Sequence, residues 1–74
     1  MEKLTQNEKI ELTTRELEVL ELMVQGKTNS EISKALSISK NTVKAHCKSI
    51  FEKLNVSRRV NAVVKAIVLG IIWL

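Results

Sequence analysis

"TNSEISKALSISKNTVKAHCKSIFEKL", residues 28–54, holds two helical patterns separated by one short polar turn, and the length of that turn decides the fold. Ile32, Ala35 and Leu36 line one face of a first helix at about 29–36. Val43, Cys47, Ile50 and Leu54, at i, i+4, i+7 and i+11 with Phe51 beside them, line a second helix at about 40–54. Only Ser37-Ile38-Ser39 lies between, with Ile38 placed to plug the joint. So short a connection sets the second helix steeply across the first, which is a helix-turn-helix.

Capping chemistry extends the reading in both directions. Thr13-Thr14-Arg15-Glu16 and Thr28-Asn29-Ser30-Glu31 both fit the box in which a Thr hydroxyl and a Glu carboxylate reciprocally satisfy orphan N–H groups. Ser39 and Ser57 supply simpler caps. Gly26 and Gly70 each follow an apolar-periodic run, where helices stop, and there is no proline to break one. These signals predict helices at about 14–25, 29–36, 40–54 and 58–69, a polar, flexible N-terminus at 1–10, and one domain over 11–74. The fold class is all-α, a four-helix bundle whose second and third helices form the helix-turn-helix.

The charge is unevenly placed. Residues 1–31 carry four basic and seven acidic groups, net −3, whereas residues 32–74 carry eight basic and one acidic, net +7. That asymmetry points to a polyanion held by one face; the plainer alternative is a basic face turned only to water. Lys34, Lys40, Lys44, Lys48, Lys53, Arg58 and Arg59 are the candidates to displace counterions, a subset of them sufficing.

Enzyme chemistry has little to use. There is no Asp, no Tyr and no Gly-rich phosphate loop, and His46 and Cys47 are neighbours that diverge by about a hundred degrees on a helix. One cysteine makes no internal disulfide, and no Cys/His cluster has metal spacing. Neither a cofactor nor a small-molecule ligand is expected. With no signal-peptide pattern, the chain reads as cytoplasmic.

Opposite the apolar stripe of the third helix lie Asn41, Ala45, Lys48 and Glu52, flanked by Lys44. Two long cations beside a small alanine suit close approach to a groove floor. Lysine can donate to guanine, Asn41 can donate and accept at an adenine edge, and the Ala45 methyl can meet a thymine methyl. Thr28, Ser39, Lys40 and Thr42, at or near helix starts, suit phosphate oxygens. Cys47, central in the core stripe, reads as a small buried hydrophobe, and His46 as a packing or hydrogen-bonding residue more than a DNA contact. Phe51 faces the core and Trp73 is the other aromatic, so no stacking platform for single strands exists.

"LTTRELEVLELMVQGKTNSEIS", "LSISKNTVKAHCKSIFEKLNV" and "SRRVNAVVKAIVLGII", together nearly all of Leu12 to Ile72, resemble the LuxR/GerE-type DNA-binding domain. Thr-x-Arg-Glu, Glu-Ile, Ile-Ser-x-x-Thr-Val-Lys-x-His and Lys-Leu-x-Val occur in order. With no room for a sensory domain, the chain is similar to the stand-alone, GerE-like members. The resemblance implies a third helix in the major groove and a fourth available for dimerisation, with Lys44, Ala45 and Lys48 facing bases and Thr28, Ser39 and Thr42 facing phosphates. It matches Arg15 and Glu16 to a pair that ties the first helix to its neighbours. Two departures stand out: Ser33, where alanine is usual, which should loosen the second helix, and Leu17, where a polar residue is common, which should add an exposed apolar spot.

On the fourth helix Ala62, Val63, Ala66 and Leu69 form a face that can cover the core, while Val60, Val64, Ile67 and Ile71 form a second stripe nearly opposite. That stripe is the expected dimer surface; the alternative is a C-terminal tail folded over it with Trp73 as lid. The sequence thus predicts a bacterial transcriptional regulator that binds double-stranded DNA as a homodimer, with RNA polymerase a further candidate partner. The rival readings are a promoter-binding sigma-factor-like helix-turn-helix, a membrane-associated protein anchored by "AVVKAIVLGIIWL", and a heterodimer-forming interaction protein. That tail is too short to span a bilayer, and a sigma factor would need a polymerase-binding region besides.

Overall fold

The computed structural model describes residues 10–73. Among these, four helices follow in order and no strand occurs: α1 Thr14–Val24, α2 Asn29–Leu36, α3 Lys40–Leu54 and α4 Arg59–Val68. The all-α, four-helix class is as expected, with α1 ending one residue earlier and α4 one residue shorter at each end. The expected flexible segment at 1–10 lies outside the described residues except for Ile10, which packs half-buried against the core.

Both capping boxes are closed. Thr13 Oγ1 accepts from the Glu16 N–H at 3.1 Å while Glu16 Oε1 accepts from the Thr13 N–H at 2.9 Å. Thr28 and Glu31 repeat the exchange at 3.1 and 2.8 Å. Ser39 Oγ caps α3 by accepting from the Thr42 N–H at 3.0 Å. The cap expected at Ser57 is not made: Arg58 is the N-cap of α4 and offers no side-chain bond.

All four helices stop in the same way. Gly26, Ser37, Asn55 and Gly70 follow the helix ends at positive φ, and the N–H of the next residue returns to the carbonyl five back: Lys27 to Leu22, Ile38 to Ser33, Val56 to Phe51 and Ile71 to Ala66, at 2.8–3.0 Å. This pattern satisfies carbonyls that the helix leaves orphaned. It also turns three apolar residues, Ile38, Val56 and Ile71, back onto the core. Each stop is therefore a packing device as well as a turn.

The core runs through Val19, Leu20 and Met23 of α1, Ile32 of α2, Val43, Cys47, Ile50 and Leu54 of α3, and Ala62 and Ala66 of α4. α3 packs against every other helix, whereas α2 and α4 do not pack against each other. The two alanines let α4 approach closely. Ile72, missing from the expected core, is 6% exposed and closes it from the C-terminal side.

Several expectations are corrected by this packing. Ala35 is exposed, and Ser33 takes the buried place on α2, its hydroxyl donating to the Ser30 carbonyl at 2.8 Å, so it is accommodated without loosening the helix. Leu17 is half-buried against the core rather than an exposed spot. Leu69 lies at the C-cap of α4 and is 51% exposed, so it does not cover the core. No helix among the described residues is long and apolar enough to cross a membrane.

Candidate nucleic-acid interface

Four buried side chains fix which way α3 faces: with Val43, Cys47, Ile50 and Leu54 in the core, Asn41, Lys44, Ala45 and Lys48 must point outward, and all four are exposed. Glu52 continues the same face one turn further on. Lys40 and Thr42 flank it, also exposed, while His46 sits half-buried off both stripes. The burial of Cys47 raises its thiol pKa, as suits a packed hydrophobe rather than a reactive group.

The start of α3 differs from those of α1 and α2. The earlier two helices carry a Glu in the first turn, bonded back across the cap; α3 carries none. Its positive dipole end is thus unopposed by a carboxylate, with Ser39, Lys40, Asn41 and Thr42 exposed around it. Ser39 and Thr42 are paired through their hydroxyls at 2.9 Å, which orients both. Thr28 is also exposed, its oxygen accepting from the Glu31 N–H while its hydroxyl lies beside the Glu31 carboxylate. Hydrogen bonding from the Thr28 N–H leads the causes that lower the Glu31 pKa, and the Thr28 hydroxyl helps to lower it.

The roll of α3 is set by a buried polar tie. Glu16, 5% exposed, accepts from Ser49 Oγ at 2.6 Å and from Lys53 Nζ at 2.8 Å. Burial alone would raise its pKa, but the bonds from Lys53, Ser49 and Thr13, with the charge of Lys53, outweigh it and hold the carboxyl at about 2. Arg15 does not share in this tie: it is exposed and bonds Glu18, at 3.1 Å one turn along. Ser49 and the inward bond of Lys53 escape the sequence reading because nothing in periodicity distinguishes a polar residue that bonds inward from one that faces water.

The basic half also divides. Lys53 is held by Glu16, Arg59 donates to Asn29 Oδ1 and to the Lys27 carbonyl, and Lys65 donates to the Leu54 carbonyl at the end of α3 at 2.7 Å. Three of the cations in the +7 half are therefore part of the scaffold. Lys34, Lys40, Lys44, Lys48 and Arg58 remain exposed.

On α4, Val60, Val64 and Ile67 are 60%, 53% and 37% exposed and share one side. Ile71 lies beyond the helix and is turned back half-buried onto the core, beside Ile10, Leu12 and Leu17, so it does not continue the expected stripe. Trp73 is 85% exposed and borders a groove with Glu21 and Val24 of α1 and Gln25 at its C-cap, so it does not lid the Val60–Val64 side.

The family of bacterial regulatory proteins of the luxR type, GerE, matches residues 11–66. The chain is 52% identical over 56 residues to the transcriptional regulatory protein DegU of Brevibacillus brevis, covering 76% of this chain and 24% of that protein. It is 48% identical over 59 residues to the spore germination protein GerE of Bacillus subtilis strain 168, covering 80% of each. A solved structure of the transcription factor GerE superposes with a TM-score of 0.74 at 39% identity, covering 80% of this chain and 88% of that one. The chain thus spans about a quarter of the length of relatives such as DegU and most of GerE. On the family match across the helix-turn-helix and the shared fold, the chain belongs to the luxR family of bacterial regulatory proteins.

Proposed function

We propose that residues 11–74 form a sequence-specific, double-stranded-DNA-binding domain that works as a homodimer in bacterial transcription regulation in the cytoplasm, with RNA polymerase a further partner. α3 enters the major groove. Asn41, Lys44, Ala45 and Lys48 meet base edges, and Thr28, Ser39, Lys40 and Thr42 meet phosphates. Val60, Val64 and Ile67 pair two copies so that their α3 helices lie about one DNA turn apart. The observation that carries this reading is the exposed, carboxylate-free N-terminal half of α3, two lysines around an alanine, backed by a face locked in the core.

Selection of bound sequences from a random duplex library tests it, and a roughly palindromic consensus is the expected result. Affinity for that consensus should fall linearly in log–log form as salt rises. With Lys53 and Arg59 engaged internally, the slope should reflect at most about five cations per protomer rather than seven. A flat salt dependence, or no enriched sequence, would exclude the proposal.

A further inference from the structure

Arg59 opens α4, yet its guanidinium leaves that helix. Nη1 donates to Asn29 Oδ1 at 2.8 Å and Nη2 to the Lys27 carbonyl at 2.8 Å. The two acceptors are the residues on either side of Thr28. Since α2 and α4 do not otherwise pack against each other, this fork is what joins them among the described residues. Its place is unfavourable for a bare cation, close to the positive end of the α2 dipole. Two well-placed acceptors offset that cost, and a planar guanidinium can reach both at once where an ammonium cannot.

The capping box makes the aim of Thr28 depend on this link. The Thr28 N–H is committed to Glu31 Oε1 and its oxygen accepts from the Glu31 N–H, so the exposed hydroxyl, shared with the Glu31 carboxylate, is the group that a phosphate would meet, and its direction follows the backbone of the turn. Arg59 pins that backbone from both sides. It also adjoins Val60, the first residue of the exposed α4 stripe.

We propose that Arg59 is a positioning residue for DNA-backbone binding: it holds the Thr28 turn in place relative to the dimer helix, acting through geometry and not as a phosphate-neutralising charge. This rests on Thr28 being a phosphate contact. A contact of that kind acts on any duplex, so a mixed-sequence duplex at low salt serves as the probe.

The experiment is a double-mutant cycle on the full chain, with thermal unfolding of each variant as a check on folding. Arg59→Lys keeps the charge and loses the fork, and is expected to weaken binding as much as Arg59→Gln, by about tenfold. Thr28→Val is expected to weaken binding several-fold alone and to add almost nothing to Arg59→Lys. Asn29→Ala, which removes one acceptor and leaves the cation, should show a smaller loss with the same non-additivity and keeps the test open if the Arg59 variants unfold. Wild-type affinity in Arg59→Lys, or losses that simply multiply in the double variants, would overturn the strut while leaving Thr28 as a contact. No loss in Thr28→Val would instead remove the phosphate role of Thr28, and the inference with it.

Discussion

Glu16 does two jobs with one carboxylate, completing the α1 cap at Thr13 and holding α3 through Ser49 and Lys53. Its pKa of about 2 against 4.5 for the free group means that the ionised form is favoured by folding. The stability this supplies is fully present above about pH 4.5 and is lost as pH falls from there toward 2; with Lys53 partly open to solvent, it is on the order of 2 kcal/mol. Thermal unfolding across that window should show a drop that Glu16→Gln makes shallower, and an unchanged drop would mean that the tie contributes nothing. The sequence marks Glu16 as a capping residue and, by resemblance, as one of two residues tying the first helix to its neighbours; the other, Arg15, bonds Glu18 on its own helix instead. The bonds that matter reach residues more than thirty positions away, and neither capping rules nor periodicity carries that distance. Lys53 and Arg59, read as candidates to displace counterions, prove for the same reason to be donors to Glu16 and Asn29.

Among the elements, helix starts were more legible than stops. Thr13, Thr28 and Ser39 cap as read because the chemistry is local to three or four residues. Two of the four stops use Ser37 and Asn55 at φ 58° and 59°, where glycine would be the signal, so only Gly26 and Gly70 could be recognised. Ser37 holds this left-handed conformation to turn Ile38 into the core and to leave Ser39 free to cap α3. A β-carbon there is unfavourable. Ser37→Gly should therefore stabilise the chain by about 0.5–1 kcal/mol without altering DNA affinity, measured by denaturant unfolding. The interior of α3 is the opposite case: Ile50 and Leu54 are fully buried, and Ile50→Ala should cost about 2–5 kcal/mol and weaken binding to every duplex through loss of fold.

At the scale of the whole molecule, four short helices bury a core that α4 closes with two alanines, leaving Val60, Val64 and Ile67 in water in a single copy. The exposed stripe was legible because a helix shows both its faces in the sequence. The tail was not, since Ile72 packs only after Gly70 reverses the chain. If the stripe pairs two copies, Val64→Asp should give a folded monomer that binds a full site much more weakly and a half-site with less loss, as read by sedimentation and titration. A monomeric unmodified protein that binds full sites without cooperativity would refute the pairing. The central claim, that the outward face of α3 reads base edges, is tested most directly by measuring the affinity of unmodified protein and Lys48→Ala for a selected and a random duplex at one salt concentration. The account predicts a loss of about 1–3 kcal/mol on the selected site and a much smaller loss on the random one, so that the preference flattens. An equal loss on both would make Lys48 a phosphate contact and contradict the reading.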